Sequence, residues 1–149
     1  MSTTMTSDER QAFLAGAHVG VVSLNQEGRG PLTIPVWYAY EPGGDVQIVT
    51  ERASRKGELL EEGCRISLCA QDEAPPYKYA SVEGPVVRIE PADAERHERL
   101  LAHRYLGVEL GDRYMESAMV DRADDAMILV HMRPERWLTA DYSKEDVGL

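Results

Sequence analysis

Three consecutive residues, Ser54-Arg55-Lys56, carry the chemistry most clearly written in this 149-residue chain. A hydroxyl and two cations, with Arg52 just upstream, gather where a short helix should begin. Free backbone N–H groups at a helix start, a Ser hydroxyl and neighbouring cations together suit a bound phosphate. The charges also run against the helix dipole. Arg52, Arg55 and Lys56 crowd the positive end and Glu61 and Glu62 the negative end, at a cost of ~0.3–1 kcal/mol for each exposed charge. An anion held among the cations accounts for this inversion. The alternative is a surface helix whose charges pair with other parts of the chain.

Other reactive groupings are sparse. His18, His97, His103 and His131 show no metal-ligand spacing, and neither an HExxH motif nor a CxxC pair occurs, so no metal site is expected. Cys64 and Cys69 are five apart in one expected strand and point to opposite faces. Two free thiols fit a reducing cytoplasm, and the polar first ten residues lack the apolar core of a signal peptide. No GxSxG nucleophile elbow is present. Tyr38, Tyr77 and His131 are able to pass a proton, yet no residue can be assigned as catalytic from the pattern alone. Trp37, Tyr38 and Tyr40 precede the strand that leads to the cations, and Tyr77 and Tyr79 open another strand. Such aromatics either wall a pocket for a flat ring system or fill the core.

The elements that must position these residues are short strands. Period-2 alternation of β-favouring residues predicts strands at 18–24, 32–40, 46–50, 65–71, 77–90 and 126–132. Pro35 reads as a bulge or an unpaired edge position, and Gly84-Pro85 as a bulge. Ser54 and Gly63 bracket an expected helix over 54–62. Thr6 and Glu9 fit a capping box for a helix ending near Ala15, and helical patterns cover about 92–107 and 112–120. The whole chain, 1–149, reads as one domain. It is mainly β (α+β): a six-stranded antiparallel barrel with short flanking helices. The net charge of −10 argues against nucleic acid and anionic membranes as partners. A small anionic ligand fits the local cluster better. A heterocycle with a phosphate tail would join cations and aromatics in one site, and such a cofactor would carry the reaction.

Pro35-Val36-Trp37-Tyr38, Val49-Thr50, Ser54-Arg55-Lys56, Arg65-Ile66-Ser67-Leu68 and Val82-Glu83-Gly84 resemble the pyridoxamine 5′-phosphate oxidase-like split β-barrel family. The resemblance covers about residues 8–140. It implies a homodimer with cofactor sites at the interface, occupied by FMN or the deazaflavin F420. It implies that Ser54, Arg55 and Lys56 hold the phosphate, with Thr50 beside it. The backbone of Thr33, Ile34, Pro35 and Val36 would lie along the ring, and Tyr77 and Trp137 would contribute from the partner subunit. Where pyridoxamine 5′-phosphate oxidases proper carry a phosphate-binding arginine at the start of strand two, this chain has Gly30-Pro31-Leu32-Thr33 with Arg29 upstream. Vitamin B6 oxidation itself is therefore not expected. The implied activity is hydride transfer through FMN or F420 to a small-molecule substrate, with FMN slightly favoured because a polyglutamate tail would meet an acidic protein. A non-catalytic flavin- or haem-binding protein on the same barrel is the second reading.

Overall fold

The computed structural model describes residues 2–145. Eight strands are arranged in the order β2-β1-β5-β6-β7-β4-β3, with β8 added beside β6. They are β1 (Gly20–Leu24), β2 (Leu32–Val36), β3 (Tyr38–Ala39), β4 (Val46–Glu51), β5 (Arg65–Asp72), β6 (Lys78–Pro91), β7 (Met127–Met132) and β8 (Arg136–Asp141). Every pairing is antiparallel. The expected six strands become eight for two reasons. The segment expected as one strand over 32–40 breaks at Trp37, so β2 pairs with β1 while β3 pairs with β4. The Trp137-Leu138 segment, left outside the expected strands, pairs with β6.

This topology makes a split barrel. The 14 residues of β6 serve two sheets: Lys78 to Pro85 pair with β5, and Val86 to Pro91 pair with β7. The register shifts between Val86 and Arg88, just past the Gly84-Pro85 position where the bulge was expected. At Gly84 the backbone of Arg133 comes so near that a Cβ would lie 1.7 Å from its carbonyl oxygen. Only glycine permits the corner there. At the opposite side, β2 and β3 are two halves of one bent strand, so the barrel closes through the chain itself. No ladder joins β2 to β4 among the described residues.

Alternation fills the interior. Val22, Leu24, Tyr38, Ile48, Leu68, Val82, Ile128, Val130 and Met132 are all buried in one cluster. Each such side chain contributes roughly 1.5–3 kcal/mol, several times the cost of a misplaced surface charge. Barrel packing therefore dictates where the cationic segment lies, whatever its helix would prefer alone. α1 (Ser7–Ala15) covers one end of the barrel, Leu14 being fully buried. α2 (Arg55–Leu59) follows β4, shorter than the expected 54–62. A π-helical turn, Ala94–Glu98, leads into α3 (Arg99–Leu106), which packs on α4 (Val108–Ala118). Arg122 closes this helical pair with two 2.8 Å hydrogen bonds to the buried Glu98 carboxylate.

The expected capping box forms at Thr6 and Glu9. The Lys144 ammonium, 2.6 Å away, and the Thr6 amide hold the Glu9 carboxyl down to about 2. A carboxyl lowered on folding stabilises above its ordinary value of 4.5, and that stabilisation is lost as pH falls toward 2. Thermal melts between about pH 5 and pH 2 should therefore show a steeper decline for the wild type than for Glu9→Gln. Parallel declines would mean that the Glu9–Lys144 tie contributes nothing to stability.

Candidate functional site

β4 delivers the candidate site. Val46, Ile48 and Thr50 are buried, and Val49 is half-buried on the other face. The chain turns after Glu51, and Ser54 caps α2. Its Oγ accepts from the Gly57 N–H at 3.0 Å and donates to the Glu51 carbonyl at 2.7 Å. Thr50 Oγ1 lies 3.4 Å from the same Ser54 oxygen. Gly57 is buried so close to the end of β4 that a Cβ would stand 2.2 Å from the Glu51 carbonyl oxygen and 2.7 Å from that of Arg52. The helix start is thus pressed onto the strand end, and the residues between are held in one place.

The two cations behave differently. Arg55 reaches across to the turn between β1 and β2, where its Nε and Nη2 donate to Gln26 Oε1 at 3.3 and 3.0 Å. It also lies 3.8 Å from Glu58. Its charge stays more than half exposed, and the neutral Gln26 orients it without neutralising it. Lys56 is half-buried and makes neither an ion pair nor a hydrogen bond with any described residue. Burial pushes its amine below the ordinary lysine value, with Glu51 opposing the shift. A partly desolvated cation that makes no ion pair or hydrogen bond, offset only by the more distant Glu51 carboxylate, is costly and fits a site built to receive an anion.

Lys56 looks into a groove at the barrel's open seam. One stretch, of about 460 Å³, is lined by Leu32 and Ile34 of β2, by Val49, Thr50 and Glu51 of β4, by Ser54, Arg55 and Lys56, and by Met127. A second stretch, of about 300 Å³, shares Val49 and Lys56 and continues past Pro35, Val36 and Trp37 to Val19 and Tyr114. The fold therefore brings Thr50, Ser54, Arg55 and Lys56 onto one wall, opposite the inner face of β2. Ile34 and Val36 turn inward, while Thr33 and Pro35 are exposed on the outer face. Ser54 and Arg55 line the first stretch, Trp37 and Tyr114 the second, and Lys56 lies where the two meet.

Other residues singled out in the sequence lie elsewhere in the chain. Tyr77 is 47% exposed in the loop before β6. Trp137 stands edge-on to Tyr40 under the Arg10 guanidinium. Neither lines the groove of its own chain. The Tyr38 ring is fully buried, with its hydroxyl donating to the Leu14 carbonyl at 2.6 Å. Desolvation raises its pKa well above the ordinary tyrosine value, so it is fixed as a structural donor. His131 faces Glu90 at 3.7 Å and lines neither stretch. Cys64 and Cys69 are both free. No group of three potential metal ligands occurs among the described residues, and no described helix is long and apolar enough to cross a membrane.

Three features were not anticipated from the sequence. Gln26 orients Arg55 from a distant turn. Gly57 is the contact that seats α2, and a glycine three residues past an N-cap was the available signal. Glu62 is not a misplaced helix charge: the helix has already ended, and its carboxylate accepts the Ile89 N–H at 3.2 Å.

Fold and groove together define a split β-barrel protein of the pyridoxamine 5′-phosphate oxidase-like class. The family model described as pyridoxamine 5′-phosphate oxidase matches residues 6–126, and the chain belongs to that family. No curated protein matches it by sequence. Among solved structures it is similar to the conserved hypothetical protein Rv2991 from Mycobacterium tuberculosis, at 21% identity and a TM-score of 0.73 over 99% of this chain and 91% of that one. It is similar to an F420 reductase, at 18% identity and a TM-score of 0.68 over 86% and 94%. It also resembles the FAD and heme binding protein from Mycobacterium smegmatis, at 16% identity and a TM-score of 0.63 over 94% and 72%. At these identities the likeness speaks for the fold.

Proposed function

We propose that this chain binds FMN or F420 in the seam groove and works as an oxidoreductase on a small-molecule substrate. The observation that carries this reading is Lys56, a half-buried cation with no ion pair or hydrogen bond to any described residue, set beside Ser54 and Arg55 where the two stretches of the groove meet. Ser54, Arg55 and Lys56 hold the phosphate and Thr50 supports it. The backbone from Thr33 to Val36 borders the ring. When bound, the cofactor supplies hydride transfer. The protein's part is to hold the charged tail, align the flat ring against β2 and keep water from the slot. FMN is favoured slightly, since a polyglutamate tail would meet a chain that carries −10 overall.

The functional unit in this proposal is a homodimer in which Tyr77 and Trp137 close the partner's groove. Its support is the outer face of the larger sheet. Pro35, Val21, Cys69, Ser81 and Leu138 lie in one register row across five strands, and Leu138 is 67% exposed. A second reading, storage or sensing of a flavin or haem without turnover, is favoured by one observation. No imidazole lines the groove, and its lining carries one acidic and one phenolic group, Glu51 and Tyr114.

The visible spectrum of the purified protein, followed by titration with FMN and with F420, tests the proposal. Binding at micromolar concentration is expected, and the absence of binding by both refutes it. Reduction of the bound cofactor by a nicotinamide or a candidate substrate separates turnover from storage. Phosphate binding should also weaken at a pH below that at which an exposed lysine titrates, because burial lowers the Lys56 amine and only its protonated form attracts the anion. Lys56→Arg should abolish this alkaline loss, as read from the dissociation constant against pH.

A further inference from the structure

A further cavity, of about 460 Å³, shares only Val49 with the seam groove. One wall is the arm made by the π-helical turn and α3. It presents Arg96, His97, Leu100, Leu101 and Arg104, whose three- and four-residue spacing is that of one helix face. The facing wall is the β3–β4 hairpin with Glu41 and Asp45, and the floor is the register pair Val49 and Leu129. The two walls carry opposite charges that do not pair. Neither Glu41, Asp45 nor Arg96 makes an ion pair or a side-chain hydrogen bond with any described residue. Arg104 has only neutral partners: its Nη2 donates to the Ala15 and Gly16 carbonyls at 2.7 and 2.8 Å, and its Nε is buried without one. His97 Nδ1 accepts the Asp93 N–H at 2.8 Å, so in the neutral ring Nε2 is left as a donor.

Opposite charges on facing walls attract, and the frame keeps these apart. The arm is pinned by the Arg122–Glu98 pair and by the Tyr105 hydroxyl, which donates to the His18 carbonyl at 2.6 Å. The hairpin is fixed by the Gly44 N–H, which donates to the Glu41 carbonyl at 2.9 Å, with Gly43 at φ +83°. Leu100 stays 62% exposed, while Leu101 and Leu129 are buried. A gap held open in this way needs no rearrangement to receive a ligand. An anion alone would suit the arm and meet the hairpin carboxylates, and a cation alone would do the reverse. We infer that this cavity binds a zwitterion with an apolar side chain, of the class of a free aliphatic α-amino acid. The carboxylate faces Arg96, His97 and Arg104, the ammonium faces Glu41 and Asp45, and the side chain lies on the leucines. This site is separate from the proposed cofactor groove and does not depend on it.

Calorimetric titration of the purified protein with L-leucine tests this, beside 4-methylpentanoate, which lacks the ammonium, and 3-methylbutylamine, which lacks the carboxylate. Leucine should bind at least about tenfold more tightly than either, since a hydrogen bond to a charged group is worth roughly that factor or more. The double variant Glu41→Gln, Asp45→Asn should erase the preference over 4-methylpentanoate. Arg96→Gln should reduce the preference over 3-methylbutylamine about threefold, His97 and Arg104 remaining. Both variants should keep the wild-type melting midpoint and the wild-type affinity for FMN or F420. The inference is overturned if leucine does not bind at millimolar concentration, if it binds no more tightly than its single-charge analogues, or if its preferences survive in both variants. Leucine uptake by a protein that takes up neither cofactor would overturn the proposed function and leave this site standing.

Discussion

Replacing Lys56 by alanine should weaken FMN or F420 binding about 10- to 100-fold while leaving the thermal midpoint almost unchanged. A charge-assisted hydrogen bond to phosphate is worth roughly 1.5–3 kcal/mol, and each 1.4 kcal/mol is about tenfold in affinity. Stability should hold because Lys56 makes no ion pair or hydrogen bond with any described residue, and its burial already disfavours its charge. Arg55→Ala should cost less, because that guanidinium is more than half exposed and tied to Gln26. Calorimetric titration beside a melting curve separates the two quantities. A Lys56→Ala variant that binds as tightly as the wild type would remove the anion site from the groove.

Replacing Gly57 by alanine should lower both stability and cofactor affinity. Helix propensity alone predicts the reverse, since alanine is favoured over glycine by about 1 kcal/mol inside a helix. The contact decides the sign. The new Cβ would stand 2.2 Å from one backbone oxygen and 2.7 Å from another, and neither can rotate out of the way. Overpacking of this kind costs about 1–3 kcal/mol or more, and a domain of this size loses about 2–4 °C in midpoint per kcal/mol. Relief by lifting α2 off β4 would break the Ser54–Glu51 hydrogen bond and carry Lys56 away from the groove. Differential scanning of the variant, then titration with FMN, checks both halves. Unchanged stability would mean that α2 is not seated by this glycine.

Much of the barrel was legible because alternation is local. The paired positions in β1, β4, β5 and β7 follow from which residues are apolar at every second place. The bend in the second strand was not legible for a physical reason. Pro35 drew attention as the breaker, yet it sits in β2 opposite Val21 without ending the strand. The break falls at Trp37, whose ring stacks on Tyr105 from a helix far along the chain. β8 escaped notice for a similar reason: its pairing with β6 depends on the tight corner at Gly84. In the site, the charged residues announced themselves by running against the helix dipole. Gln26, which orients Arg55, carried no such signature, because an amide in a turn has many ordinary uses.

The strand shared by both sheets bears on how the molecule comes apart. Lys78–Pro91 supplies hydrogen-bond partners to β5, β7 and β8 at once. Fraying either sheet strips partners from the same strand and so weakens the other. The two halves of the barrel are thereby coupled into one cooperative unit, and melting one while the other stands leaves a long strand half unpaired. A slip of one residue in β6 would turn its inward side chains outward in both sheets together. Registry errors are penalised twice over, and the seam that carries the proposed site stays aligned because the opposite wall has a single axis.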